Sequence, residues 1–355
     1  QIAALTTAQV ANLTLNEVSK LTTAQIAAIE TADLVKMTTA QIAGLSSVQT
    51  PALTTDQLVT LTTAQIKAIE TLDLQQLTTA QVAALTDSQV QALTTSQIVA
   101  LNTAQFGALT TNEVSKLTTT QVAAIETADL SILNSDQVAA FTTAQINALT
   151  TDQVVSLTTD QIQAIETSDL LQMTTAQIAA LTDSQVSSLT TAQIVSLTTA
   201  QVANLTVNEV SKLTTAQIAV IETRDLVKLT TDQIQAIQTL DLQQMTTGQI
   251  AALTDTQVPV VTTAQIVALT TAQAAALTPN EVSKLTTAQV AAIETADLVK
   301  MTTAQIVALT TDHASALTVS QVENLTTAQI AAIQTADLVK MTTAQIAGLT
   351  SVQIS

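Results

Sequence analysis

Residues able to do chemistry are few in kind and regular in placement. The 355-residue chain has one histidine, His313, no cysteine, and 28 acidic residues against ten basic ones. A lone histidine lacks the partners that general acid–base catalysis or a tetrahedral metal site requires. His313 also occupies a repeat slot held elsewhere by Gln, which marks it as a degenerate repeat position. Without cysteine there are neither disulfides nor thiolate ligands. Carboxylates remain, and paired carboxylates hydrolyse glycosides. An enzyme gathers its acids in one pocket, however, whereas these recur at equivalent positions of many repeats. The residue types therefore predict no catalytic, cofactor-binding or metal-ligating residue and no enzyme. Calcium needs several oxygens converging on one point, and neither an EF-hand loop nor a Gly- and Asp-rich β-roll nonapeptide occurs. Acidic ridges could still bind calcium weakly. There is no Gly-rich phosphate loop.

Composition narrows the partners. A formal charge of −18 opposes nucleic acid and anionic membranes, both of which require a basic face. No run of about 18 apolar residues is present, so no membrane insertion is expected. No signal peptide is recognisable, and the chain begins with Gln rather than Met, which reads as a mature fragment or a slice of a longer polypeptide. Apolar residues make up 47% of the chain, yet Phe106 and Phe141 are its only aromatics. A core built from Leu, Ile, Val and Ala suits a thin body of constant cross-section.

These residues are placed by an eight-residue repeat. From Leu5 a large aliphatic residue recurs at every eighth position, through Leu13, Leu21, Ile29 and Met37 to Leu349, with no insertion. Phe141 and Val261 are the exceptions in that slot. The consensus is L-T-T-x-Q-[IV]-x-x over residues 1–355, a single continuous array. A longer period is superposed. Octads containing Asn-Glu-Val-Ser-Lys begin at Leu13, Leu109, Leu205 and Leu277, spaced by twelve, twelve and nine octads. Octads of the form L-T-D-[ST]-Q-V begin at Leu85, Leu181 and Leu253, with the same contraction. Duplication of a twelve-octad block with one loss of three octads accounts for both.

One continuous α-helix is excluded, because an eight-residue repeat drifts about 80° per repeat around a helix of 3.6 residues per turn. A short helix in each octad gives every fixed position a task. In Leu21–Ala28, Thr22 is an N-cap and Gln25 stands three residues on, the spacing of a capping box, while Leu21 and Ile26 form a hydrophobic staple. Helix is expected over positions 3 to 8. Lysines such as Lys20, Lys36, Lys116 and Lys212 occupy position 8, the favoured end for cations. Each has an acid three residues earlier, for instance Glu113 before Lys116, an i,i+3 pair worth a few tenths of a kcal/mol. Pro279 falls at the first helical position, where Pro is tolerated. Pro51 and Pro259 fall inside the helix and should distort it. Octads such as Ile29–Lys36 put Glu30 at the cap, a poor capping residue, so their helix could start one residue later.

A helix of six residues is unstable alone, which requires a solenoid in which neighbours share one core. The fold class is all-α, with one short helix per octad, positions 1 and 6 inward and positions 4, 7 and 8 outward. Side chains such as Thr23 and Gln25 are expected to bond to the neighbouring coil. Three octads per coil are favoured over the alternative of two, because losing an odd number of octads would exchange the faces of a two-sided solenoid. Three per coil gives a rod of roughly 130–150 Å at the usual helix spacing, two per coil roughly 180–220 Å.

The consensus, seen in Leu61–Ala68 and Leu149–Ser156, resembles octad arrays of very large bacterial surface proteins described as adhesin-like or haemagglutinin-like. The resemblance spans the chain and implies an extracellular or cell-surface structural protein: a filament subunit, sheath component or adhesin stalk that self-associates end to end or laterally. The alternative is a repeat scaffold binding a protein or glycan through its outward positions. No functional residue is carried over.

Overall fold

In the computed structural model residues 5–354 are described. Helix starts follow from the sequence almost octad by octad. Thr22 has extended backbone (φ −73°, ψ 161°) and caps the helix Thr23–Ala27, with its hydroxyl accepting from the Gln25 N–H and the Gln25 side chain accepting from the Thr22 N–H. The same reciprocal box opens the helices Thr55–Thr60, Thr151–Ser156 and Thr287–Ala292. Substituting such a cap typically costs about 1 kcal/mol. The six-residue helices end where the next large aliphatic residue returns to extended backbone, as at Leu61 (φ −58°, ψ 137°), and shorter ones end before it, as at Ala28 (φ −92°, ψ −2°). All 41 α-helices among the described residues run four to six residues, and no strand occurs among them.

Three octads close one coil. Thr39–Ala43 packs on Thr63–Ala68, Thr119–Ala123 on Thr143–Ala148, and Val207–Lys212 on Thr231–Ala236, each three octads on. The triangular solenoid is therefore the observed one. Positions 1 and 6 fill its interior, as with Leu53, Leu58, Leu61 and Ile66, all at most 3% exposed. Position 4 lies outward, position 7 is exposed in octads such as those of Val99, Val155 and Val195 and half-buried in others, and position 8 is mostly half-buried. Two compact units, Gln1–Ala180 and Leu181–Ser355, are built on this plan.

Proline behaves as its position dictates. Pro279 opens the helix Pro279–Lys284 without disturbance. At Pro51 and Pro259 the α-turn is replaced by the 3-10 turns Thr50–Ala52 and Val258–Val260, because the ring removes the donor an α-turn needs there. The Glu-capped octads correct one expectation. Their helix begins in the ordinary place, as in Thr31–Leu34, with Glu30 at the cap and no side-chain capping bond. Register is held by stacking rather than by the local cap.

Candidate functional site

The chemistry of this chain is concentrated at the corners where coils meet. A helix leaves its last carbonyls without intrahelical partners, and each triangular coil turns a corner there. Gln at position 5 of the following coil meets them. In Leu149–Ser156, Gln153 Oε1 accepts from the Thr150 N–H at 2.8 Å, and Nε2 donates to the Val122 and Ile125 carbonyls, both at 2.8 Å. In the second unit Gln289 accepts from Thr286 N–H at 2.6 Å and donates to Val258 and Val261 at 2.8 and 2.6 Å. One buried amide thus completes its own cap and ties it to the corner one coil earlier. The expectation that Gln would bridge coils is met.

The third-position Thr follows a narrower rule than expected. Thr23 and Thr63 are exposed. Where the bridge forms, the next coil carries Asp at position 5: Thr215 donates to Asp241 at 2.8 Å and Thr271 to Asp297 at 2.7 Å. Asp is too short to serve both cap and corner, so it takes a hydroxyl from the coil beneath. Burial pushes the carboxyls of Asp73 and Asp129 above the ordinary range; Glu70 adds to the shift at Asp73, and Glu126 adds at Asp129 while a bond from Thr103 opposes it.

The position-5 acids correct the charge reading. Among the described residues, none pairs with the lysine three positions on in its own octad. Lys116 reaches Asp87 at 3.9 Å, Lys212 reaches Asp183 at 3.6 Å and Lys284 reaches Asp255 at 3.4 Å, each one coil back. Asn112 and Asn280 donate to those same carboxylates, Asp87 and Asp255, at 2.6 Å. A polar bracket of Asp, Asn and Lys thus recurs wherever an L-T-D octad stacks beneath an Asn-Glu-Val-Ser-Lys octad. The signal is present in the sequence, since these octads begin three octads apart in every such place.

Inside each bracket Glu replaces Gln. Glu113 Oε2 accepts from the Thr110 N–H at 2.6 Å and closes the capping box. Oε1 of Glu113, Glu209 and Glu281 is buried with no hydrogen-bond partner. Desolvation raises all three carboxyls above their ordinary range. The capping bonds from Thr110, Thr206 and Thr278 oppose the shift, and the carboxylates of Asp87, Asp183 and Asp255 add to it.

His313 is 4% exposed and does the work of Gln: Nδ1 accepts from the Thr310 N–H at 3.2 Å and Nε2 lies 2.7 Å from the Leu285 carbonyl. These partners place the ring proton on Nε2. An apolar cavity of about 20 Å³ lies beside Val258 and Val261. It holds at most one water and has no polar lining to retain one. Among the described residues no three His, Cys, Asp or Glu side chains gather as a metal-binding group, and no helix is long and apolar enough to cross a membrane.

A family model for the ALTTAQ repeat matches residues 26–63, 66–103, 92–119, 122–159, 162–199, 218–255, 234–271, 290–327 and 330–355. The chain belongs to the ALTTAQ repeat family. No curated protein matches it. In structural terms the ALTTAQ motif is the corner device: its Leu fills the interior, its first Thr caps, and its Gln joins cap to preceding corner.

Proposed function

We propose that this ALTTAQ array is a non-catalytic structural element, a rod forming part of an extracellular or cell-surface fibre, sheath or adhesin stalk. The supporting observation is the use of its buried polar groups. Gln after Gln is consumed in joining one coil to the next, as at Gln57, Gln153 and Gln289. Residues 1–355 form one continuous array in this reading. Its partners are further copies of itself, end to end or laterally, because any coil presents the corner chemistry that another coil of like phase can receive. The extracellular placement rests on the resemblance to octad arrays of bacterial surface proteins.

Small-angle scattering tests the rod. A length of roughly 130–150 Å follows from three octads per coil at about 8–10 Å per coil. A globular particle refutes it. Sedimentation over a range of concentrations tests the partners: mass growing with concentration is expected, and a strict monomer throughout counts against self-association.

A further inference from the structure

Glu113, Glu209 and Glu281 stand where other octads place Gln, and their buried Oε1 atoms have no partner. The groups they face follow from the repeat. Gln at this position donates to two carbonyls of the preceding coil, as Gln153 does to Val122 and Ile125 at 2.8 Å. For Glu113 the equivalent carbonyls belong to Val82 and Leu85, and for Glu281 to Ile250 and Leu253. Oε2 of Glu113 already takes the capping bond from Thr110 at 2.6 Å, so Oε1 occupies the place of the amide nitrogen. A carboxylate oxygen directed at carbonyl oxygens repels them, and although the Val82 and Ile250 carbonyls keep the N–H groups of Leu85 and Leu253, Oε1 itself stays unpaired in a poorly solvated place. A carboxylic acid there reproduces the amide: one oxygen accepts from the cap and the other donates to the corner.

We propose that these three octads are proton-closed corners, in which Glu113, Glu209 and Glu281 bind a proton and donate it to the carbonyls of the preceding coil, so that the stack tightens in acid and loosens toward alkaline pH. The charged groups around them are consistent with this. Asp87 on the helix beneath Glu113 and Asp136 on the helix above are acidic, while Lys116 on its own helix is engaged with Asp87. Asp183 and Asp232 flank Glu209 in the same way, with Lys212 bound to Asp183. Glu281 has Asp255 beneath it, paired with Lys284, and the helix Thr303–Val307 above it carries no charge. Burial first, and then Asp87, Asp183 and Asp255, hold the folded-state affinity for a proton above that of the unfolded chain, for which 4.5 is the ordinary value. The stabilisation is therefore full below the unfolded pKa and is lost as pH rises through the folded one.

The test uses the full chain and the variant Glu113→Gln/Glu209→Gln/Glu281→Gln, which installs the consensus residue at all three corners. Melting is followed from about pH 4 to about pH 8, a range spanning ordinary and raised carboxyl pKa values. The variant should melt higher than the parent at the alkaline end, and the gap should close toward the acidic end. Titration of the remaining acids is common to both proteins and cancels. Glu17→Gln is the control, since Glu17 has the same Asn-Glu-Val-Ser-Lys surroundings but lies exposed in the first described coil. Difference infrared spectroscopy should also show a protonated-carboxyl band in the parent that persists above the ordinary carboxyl range and is absent from the triple variant. A gap that stays constant with pH, a parent as stable as the variant at the alkaline end, a missing carboxyl band, or a gap closed by calcium rather than by acid would overturn the proposal.

Discussion

The octads beginning at Leu13 and Leu109 carry the same Asn-Glu-Val-Ser-Lys text and end in different physical states. In both, Thr caps the helix and Glu returns to the cap N–H, at 2.7 Å for Glu17 and 2.6 Å for Glu113. Glu17 lies in the first described coil, exposed, and its bonds from Thr14 hold its carboxyl below the ordinary range. Glu113 lies on a stacked coil, is 3% exposed, and burial raises its carboxyl instead. Local sequence makes the turn of helix. The coil three octads earlier decides what its polar side chains experience.

The largest test of this contrast removes Gln at a stacked and an unstacked corner. Gln153→Ala deletes one capping bond and two corner bonds and strands buried partners, with an expected cost of about 2–4 kcal/mol. Gln25→Ala deletes only the bonds its side-chain oxygen accepts from the Thr22 N–H and hydroxyl, at about 1 kcal/mol. Because solenoid stability is summed over neighbouring repeats, hydrogen exchange of the two segments should show the difference locally. Equal effects would mean that stacking adds nothing to the cap.

A smaller effect sharpens the same contrast through pH. Glu17 has a lowered folded pKa, so its contribution is present above the unfolded value and fades as pH falls through the folded one. Glu113 has a raised folded pKa and the opposite slope. Glu17→Gln should therefore slightly reduce the sensitivity of melting to acid, and Glu113→Gln should reduce its sensitivity to alkali. Slopes of the same sign in paired melting series would break the account.

The smallest expected change is at His313. Its ring makes one cap and one corner bond, so His313→Gln adds one donor and returns the consensus. Chemical denaturation should register a gain of about 0.5–1 kcal/mol. A loss would mean that the ring has a role beyond its slot.

Much of the fold is legible in the sequence because its rules act within one octad. Thr22 and Gln25 announce the cap, Pro279 is harmless at the first helical position, and Pro51 and Pro259 break the α-turn where predicted. The coil of three octads is readable from the phase of the Asn-Glu-Val-Ser-Lys octads. What escapes a local reading acts from one coil to the next. Lys116 shares a helix with Glu113 and so reads as its partner, yet it reaches Asp87 on the coil beneath. Thr215 looks like every third-position Thr, although only the Asp241 above it gives its hydroxyl a partner. Glu30 is a poor cap by its chemistry, and packing sets the helix start regardless.

Everything here depends on coils of three octads joined at their corners, and paired cysteines measure that directly. Ala64 and Ser88 hold the same outward position on helices three octads apart, whereas Ala64 and Ala80 are separated by two octads. With helices packed about 8–10 Å apart, a short bifunctional cross-linker should join Ala64→Cys to Ser88→Cys quickly and leave the Ala64→Cys/Ala80→Cys pair unjoined. Preferential joining of the second pair would show a coil of two octads and contradict the account.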